Sequence, residues 1–291
     1  MVGICINLSH MQNWFGGDFA QVIPLIQQAD AMGLDQVSLA EHIAMTEAGA
    51  AAYPYGAYYQ DLNDPWPEPI VCLAALAGAT NRMSLSTGIL IAPLRPAVLL
   101  AKQLATLDVL SRGRVIAGLG VGWQHEEYDA AGVPWAGRFA RLEEQIHVCR
   151  TLWHDTPANF AGETVRFRNI HAWPKPVQPS GVPIWLGVGL GDRNIARIAA
   201  LADGWLPLET DPVKLAADIG RLHEACRSHG RDPATLGVRA NLMDSELVES
   251  AHRLVEAGAT ILQVYPAWRC DGPRACIDLF GRLAELKKLL T

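Results

Sequence analysis

The sequence predicts an α/β fold, a (β/α)8 TIM barrel with insertions after strands 2 and 4, formed by 291 residues. Short apolar segments alternate from end to end with longer segments that have the helical spacing of apolar residues, and eight such pairs fit this length. Glycines such as Gly33 and Gly258 follow the predicted helix ends, where helices commonly stop. A doubly wound parallel sheet is the alternative, but it normally uses fewer strands over this length.

The predicted strands lie near Val2–Leu8, Gln36–Ala40, Ser84–Ile91, Val115–Leu119, Pro183–Val188, Gly204–Leu208, Gly237–Met243 and Ile261–Tyr265. The predicted helices lie near Pro24–Met32, Glu68–Thr80, Pro96–Leu110, Arg138–Trp153, Arg193–Leu201, Pro212–Ser228, Ser245–Glu256 and Pro273–Leu289. Residues suited to helix N-caps stand at or near four of the helix starts: Asp192, Asp211, Asp244 and Gly272. Without any stretch that resembles a linker, we expect residues 1–291 to form one domain.

Two connections between predicted elements are long enough to be insertions. Residues Ile43–Pro67 follow the second strand and hold four of the six tyrosines: Tyr53, Tyr55, Tyr58 and Tyr59. Loops longer than about 12–15 residues are usually functional or disordered, and the tyrosines and prolines here favour an ordered lid. In His154–Gly181, the segment FAGETVRFRN alternates apolar with charged residues, which predicts a short hairpin.

Composition excludes several classes of protein. The net charge of −6 and the absence of a basic cluster disfavour a nucleic-acid partner. No uncharged apolar run approaches the roughly 20 residues of a membrane helix, and the N-terminus lacks the pattern of a signal peptide. The six cysteines form no C-x-x-C pair, as expected for reduced thiols in a cytoplasmic protein.

Metal catalysis is not expected either. The neighbouring residues His125, Glu126 and Glu127 cannot all face one ion on a helix, and the zinc motif H-E-x-x-H is missing.

Candidate functional residues follow the C-terminal ends of predicted strands, where barrel enzymes carry their chemistry. Glu41 and His42 follow strand 2. An imidazole exchanges protons near neutral pH, and an adjacent carboxylate could orient a ring or bond to a cofactor edge. The glycines of Gly118–Gly122 let a flat ligand approach the backbone, although tight packing inside a barrel explains them equally well. A satisfied loop histidine remains the alternative for His42.

The glycine-rich segment Gly187–Gly191 ends the fifth strand and precedes a helix. Backbone N–H groups of such a loop, together with a helix N-terminus, favour a bound phosphate. The G-x-G-x-G pattern differs from the G-x-G-x-x-G of dinucleotide-binding folds, so a phosphate cradle in a barrel is the better functional interpretation. A turn without a ligand is the alternative.

The chain resembles the bacterial luciferase-like family of flavin- and deazaflavin (coenzyme F420)-dependent oxidoreductases over nearly its whole length. The motifs that carry the resemblance are LAEH (Leu39–His42), the run from Ser86 to Trp123, EEYDAAG (Glu126–Gly132), PKPVQ (Pro174–Gln178) and ALADGWLP (Ala200–Pro207). Each is weak alone, and their joint occurrence is specific. The resemblance implies a TIM barrel with insertions, which agrees with the strand count.

The resemblance also implies roles for particular residues. Glu41 and His42 match the acid–histidine pair that contacts the cofactor ring and the substrate, with His42 as proton donor or acceptor. Gly88 and Ile89 match a bulge behind the ring, where the family often has a non-proline cis peptide, and Glu126 falls where it can reach the ring edge. The remaining expected contacts are Gly187, Val188, Gly189, Leu190 and Gly191 with the cofactor phosphate, and His10, Trp14 and Trp123 with the substrate.

One departure from the family pattern bears on the substrate. Trp123 stands where members that oxidise sugar phosphates carry a glutamate, which disfavours that substrate class and favours an apolar or aromatic one. The resemblance implies hydride transfer between F420 and a small organic molecule, with Arg95, Arg193 and Arg269 as candidates for contact with the anionic tail. Arginines on helix surfaces are the alternative for these three.

Two other functions stay open. The barrel could be an FMN-dependent monooxygenase that works with a separate flavin reductase, or a non-catalytic flavin-binding barrel. A homodimer is expected from the resemblance.

Overall fold

The computed structural model describes residues 2–54 and 61–290. The strands in these residues are β1 (Gly3–Asn7), β2 (Gln36–Leu39), β3 (Ser84–Thr87), β4 (Leu90–Ile91), β5 (Val115–Gly120), β6 (Ala158–Ala161), β7 (Arg166–Ile170), β8 (Ile184–Leu186), β9 (Gly204–Trp205), β10 (Gly237–Asn241) and β11 (Ile261–Val264). The α-helices are α1 (Val22–Ala31), α2 (Glu47–Ala51), α3 (Pro69–Ala79), α4 (Ala97–Ser111), α5 (His125–Ala130), α6 (Arg138–His154), α7 (Asp192–Leu201), α8 (Pro212–Ser228), α9 (Leu247–Glu256) and α10 (Pro273–Leu289).

The parallel strands close into a barrel. β1 pairs with β2 and β11, and the circle continues from β2 through β3, β5, β8, β9 and β10 back to β11. The short strand β4 continues the line of β3 and also pairs with β5. The predicted (β/α)8 barrel is therefore confirmed, with β3 and β4 together forming its third strand.

Polar and apolar side chains divide between the two faces of the barrel wall. Along β1, Ile4 and Ile6 are fully buried in the apolar core cluster, whereas Cys5 contacts the side chain of Gln263 from β11. Successive residues of a strand point to opposite faces, so the apolar set packs against the helices. The barrel interior is consequently lined by polar groups, among them Gln263 and Arg239.

The third strand differs from the prediction, because it is interrupted where a continuous strand Ser84–Ile91 was expected. β3 ends at Thr87, β4 begins at Leu90, and the peptide bond between Gly88 and Ile89 is cis, as the resemblance implied. A side chain at Gly88 would overlap the hydroxyl of Ser38, so a glycine is required where the chain bulges.

The prediction that four residues lie at or near N-caps is confirmed: Asp211 and Gly272 are N-caps, Asp192 directly follows the N-cap of α7, and Asp244 lies two residues before that of α9. Asp211 accepts a hydrogen bond from Val213 N at 2.8 Å. At α7, Gly191 is the N-cap, and Asp192 is the first helical residue with a fully exposed side chain. Asp192 therefore does not cap the helix.

Both predicted insertions are present. The hairpin is confirmed, since β6 and β7 pair antiparallel. In the first insertion, α2 was not predicted, and residues 61–67 are fastened to the barrel by Gln12, which donates a hydrogen bond to Pro65 O at 2.8 Å. The tyrosines Tyr55, Tyr58 and Tyr59 lie outside the described residues. Across the described chain, no helix combines the length and apolarity that a membrane span requires.

Candidate active site

A cavity of about 460 Å³ opens at the C-terminal ends of the barrel strands. Several predicted site residues line it: Gly88, Ile89, Trp123 and the segment Gly187, Val188, Gly189 and Leu190. Its wall also includes Tyr53 from the first insertion, Arg138 and Phe139 from α6, and Arg239 from β10. The barrel thus brings the predicted ring wall and the predicted phosphate loop to one cavity.

The wall at Gly88 and Ile89 is exposed backbone. Gly88 N donates to Leu39 O at 2.8 Å, and Glu41 N donates to Ile89 O at 3.2 Å, which fixes the cis peptide against β2. A Cβ atom at Gly88 would lie 2.5 Å from Nη2 of Arg239, and one at Gly187 would overlap Ile89. Close packing therefore requires both glycines, and the backbone at Gly88, Ile89 and Gly187 still lines the cavity.

The glycine loop is shaped by its own hydrogen bonds. Asn194 Nδ2 donates to Gly189 O at 2.7 Å, and Gly191 N donates to the same oxygen at 3.1 Å. A Cβ atom at Gly189 or Gly191 would meet nothing within 4 Å, so the loop leaves open space where a ligand group can lie. Gly191 itself does not line the cavity, but it starts α7, whose N-terminus favours negative charge.

Besides Arg239, the arginine that lines the cavity is Arg138, which sequence reasoning did not select. Its guanidinium carbon lies 3.6 Å above the ring of Trp135, and its Nε is buried without a hydrogen-bond partner among the described residues. By contrast, Arg269 donates to backbone carbonyls, Arg95 pairs with carboxylates and Arg193 is exposed, and none of the three lines the cavity. The cations that line the cavity are therefore Arg138 and Arg239.

His42 forms a buried pair with Glu127. Its Nδ1 lies 3.1 Å from Oε2 of Glu127, whose other carboxylate oxygen accepts a hydrogen bond from Ile43 N at 2.8 Å. Because an ionised carboxylate only accepts hydrogen bonds, this pairing places a proton on Nδ1, and in the neutral imidazole Nε2 then keeps its lone pair. The His42 ring packs edge-on against Trp66 and Trp123, with centroids 4.7 and 5.4 Å away. His42 does not itself line the cavity, but it touches Trp123, which does.

Glu41 lies behind the cavity wall rather than in the cavity. Its Oε2 accepts hydrogen bonds from Ile91 N at 2.7 Å and from Arg95 Nη1 at 2.9 Å, and its Oε1 also pairs with Arg95. Burial raises the pKa of Glu41 above its usual value, and the contacts with Arg95 oppose that shift. Both oxygens are thus occupied in holding β4 against the end of β2.

The other predicted residues do not line the cavity. His10 is buried against Trp66, with centroids 5.0 Å apart, and burial lowers the pKa of its imidazole. Trp14 packs against the apolar core, and Glu126 is half-buried on α5. Within the residues that the structure describes, no group of three or more His, Cys, Asp or Glu side chains could hold a metal ion.

The pairing of His42 with Glu127, rather than with its sequence neighbour Glu41, had one available signal. Tyr128 is a large aromatic residue, which marks the inward face of α5. Gln124 lies three residues before Glu127 and four before Tyr128, so helical spacing places all three on that face. Tyr128 is indeed fully buried, and its hydroxyl donates to Val121 O at 2.7 Å. Glu126 points about 100° away from Glu127 around the helix.

The model of the luciferase-like monooxygenase family matches residues 4–276 of this chain. The chain belongs to this family. The expected luciferase-like membership is therefore confirmed, and with it the barrel architecture that the resemblance implied.

Individual relatives extend the comparison. An uncharacterised protein of Mycobacterium bovis is 40% identical over 176 residues, 59% of this chain and 60% of that protein. An F420-dependent glucose-6-phosphate dehydrogenase of Amycolatopsis mediterranei is 32% identical over 199 residues, which are 66% of this chain and 54% of the relative. The match therefore spans 60% and 54% of the lengths of these two curated relatives.

A solved structure shows the likeness in fold. The F420-dependent secondary alcohol dehydrogenase in complex with an F420–acetone adduct superimposes with a TM-score of 0.80 over 98% of each chain, at 18% identity. At this identity, the likeness supports the luciferase-like barrel and carries no residue role.

Proposed function

We propose that this luciferase-like protein is an oxidoreductase that transfers a hydride between coenzyme F420 and a small organic substrate. The observation that carries the proposal is one cavity bounded by the Gly88–Ile89 backbone wall and by the glycine loop Gly187–Gly191, with the His42–Glu127 pair beside it. The F420-dependent relative and the F420-dependent fold neighbour support the choice of cofactor.

The residues present fit a planar ring system that carries a phosphate. The cavity volume of about 460 Å³ lies within the range of ligand sites, roughly 300–1,000 Å³. Gly88 and Ile89 would back the ring, where a Cβ at Gly88 has no space. The open loop at Gly189 and Arg138, whose Nε has no hydrogen-bond partner among the described residues, would hold the phosphate by backbone N–H groups and a guanidinium.

A bound deazaflavin supplies a carbon centre that gives or takes a hydride, and the chain supplies proton handling and orientation. In the direction of substrate oxidation, Nε2 of His42 would accept the proton of a substrate hydroxyl. Glu127 would keep Nδ1 protonated and stabilise the imidazolium that results. Trp123 lines the cavity and packs against His42, so it would position the substrate beside the histidine.

We infer an apolar substrate rather than a sugar phosphate. Trp123, Phe139 and Trp205 contribute aromatic surface to the cavity, which suits an apolar group. Although one relative is a glucose-6-phosphate dehydrogenase, Trp123 replaces the glutamate that the resemblance assigns to members with that activity.

The test is anaerobic mixing of the protein, loaded with oxidised F420, with a panel of small alcohols, and of the reduced complex with the matching ketones. Hydride transfer removes or restores the absorbance band of the oxidised cofactor. His42→Ala should lower the rate by about 10²–10⁴-fold while leaving cofactor affinity nearly unchanged. A rate unaffected by His42→Ala would contradict its role.

An FMN-dependent monooxygenase with a separate flavin reductase is the second candidate. Glu209 and Asp218 line the same cavity, and their carboxylates disfavour the anionic polyglutamyl tail of F420 more than they disfavour FMN. Oxygen consumption by the protein with chemically reduced FMN and no such turnover with F420 would favour this candidate. Binding of either cofactor without turnover would leave the non-catalytic barrel.

A further inference from the structure

Arg239 is an arginine inside the barrel. It lies on β10, its side chain is only 3% exposed, and it lines the floor of the cavity. A buried charge is costly unless it is paired, and removal of a partner from such a charge usually costs several kcal/mol. Arg239 therefore requires a partner, either within the chain or in the cavity that it lines.

The partners of Arg239 within the chain are neutral. Its Nη1 donates to Gln36 Oε1 at 3.0 Å and to Ser86 Oγ at 2.9 Å, and it lies 3.9 Å from Cys5 Sγ. Burial raises the pKa of the Cys5 thiol to about 11, so the thiol carries no charge near pH 7. None of the ion pairs between described residues includes Arg239.

Further donors without partners surround the guanidinium. Nη2 of Arg239 lies beneath Gly88, and the Ser38 hydroxyl lies at the same place, since a Cβ at Gly88 would meet both atoms. Neither Ser38 Oγ nor Gln36 Nε2 has a hydrogen-bond partner among the described residues, although both are buried. Buried polar atoms in folded proteins are nearly always paired, so this group predicts an acceptor from outside the chain.

We propose that Arg239 and Ser38 form an anion subsite at the floor of the cavity, which binds a delocalised, negatively charged oxygen. Gln36 and Ser86 hold the guanidinium in place by Nη1, which leaves Nη2 for the ligand. Two sources share this chemistry: an oxygen of the cofactor ring that becomes negative on reduction, and a carboxylate of the substrate. The first source rests on the proposed function, and the second does not.

The carboxylate source is tested on the protein without cofactor. Thermal unfolding is followed at increasing concentrations of acetate and of benzoate for the wild type, Arg239→Met and Arg239→Gln. Both variants remove the charge. Arg239→Gln also keeps a polar group toward Gln36, so it serves as the test variant if Arg239→Met does not fold. The matched control is Arg231→Met, because Arg231 is a half-buried arginine whose Nη1 donates only to backbone carbonyls outside the cavity.

The cofactor source is tested by titrating the same proteins with oxidised and reduced F420, and with oxidised and reduced FMN. Loss of one charge-assisted hydrogen bond should weaken binding of the reduced form by about 10- to 100-fold. Oxidised cofactor should bind as in the wild type. If affinity for the reduced form falls tenfold and affinity for the oxidised form is unchanged, the two-electron midpoint potential of the bound cofactor falls by about 30 mV.

Either of two results supports the subsite and identifies its ligand. Carboxylate-dependent stabilisation that disappears only in the Arg239 variants identifies the substrate as the source, and selective loss of reduced-cofactor affinity identifies the ring. If the Arg239 variants respond to carboxylates and to reduced cofactor as the wild type and Arg231→Met do, the subsite is refuted. If no cofactor binds the wild type, the proposed function fails, and the carboxylate titration still decides the subsite.

Discussion

Glu127→Gln tests the chemistry assigned to His42. The substitution keeps the size of the side chain but replaces one carboxylate oxygen by an NH2 group. Glu127 now accepts from His42 Nδ1 at 3.1 Å and from Ile43 N at 2.8 Å. The glutamine oxygen can keep the backbone bond, and its NH2 group then faces Nδ1. His42 must accept at Nδ1 and carry its proton on Nε2, which can no longer take a proton from a substrate.

The magnitude follows from the loss of the proton acceptor. A positioned general base contributes about 10²–10⁴-fold to a rate, so turnover should fall by that factor, equivalent to roughly 2.7–5.5 kcal/mol in the barrier. Glu127 does not line the cavity, so the dissociation constant of the cofactor should change by less than about threefold. The free energy of unfolding should fall by about 1–2 kcal/mol, since one charge-assisted hydrogen bond is weakened.

The assay is single-turnover reduction of bound F420, with the rate and the cofactor affinity measured on the same preparation. Asp129→Asn is the matched control, because Asp129 also pairs with a histidine, His125, on helix α5 at 3.2 Å. Both of those side chains are more than half exposed, so breaking that pair should cost little. Turnover of Glu127→Gln within about threefold of the wild type would refute the assigned role.

Four further substitutions test the cavity wall, its supports and a buried histidine. Gly88→Ala should lower the free energy of unfolding by about 1–3 kcal/mol, since its methyl group would overlap buried side chains. A Cβ atom at Gly189 would meet nothing within 4 Å, so Gly189→Ala should leave the melting temperature unchanged and weaken only cofactor binding. Equal losses of stability in Gly88→Ala and Gly189→Ala would contradict this. Arg95→Met should cost about 3–5 kcal/mol by leaving the buried Glu41 carboxylate without its counter-ion. Because burial already raises the pKa of Glu41 and loss of Arg95 raises it further, this cost in chemical denaturation should shrink as pH falls from about 8 to about 5. Burial lowers the pKa of His10 below its ordinary 6.5, so its contribution to stability is present above that pH and lost on acidification. His10→Gln should therefore flatten the fall in melting temperature below about pH 6.5, and an unchanged profile would count against this assignment.

The barrel itself could be predicted from the sequence because its strands are short, apolar and regularly spaced. The residue pattern did not predict the interruption of the third strand, because Ser84–Ile91 reads as one strand although the pairing stops at Gly88 and Ile89. The break depends on Ser38 and Arg239, which lie on other strands and come close only in the closed barrel. Local pattern holds no information on such a contact, and the resemblance supplied it instead.

The sequence predicted which candidate residues follow the barrel strands, but not all of the side chains with which they pair. Glu41 follows β2 as expected, yet its carboxylate is turned to Arg95, which lies 54 residues away in sequence. Helix α5 has only six residues, and the one signal that Glu127 rather than Glu126 faces inward is the helical spacing that places it with Gln124 and Tyr128. Arg239 did have a signal, since a charged residue inside a predicted buried strand requires an explanation.

The measurement that tests the proposed function most directly is a fluorescence titration of the purified protein with oxidised F420 and, separately, with oxidised and reduced FMN. Tight binding of F420, weak binding of FMN and loss of F420 affinity in Gly88→Ala are the predicted results. Preferential binding of reduced FMN would contradict hydride transfer with F420 and would instead support oxygen chemistry with a separate reductase.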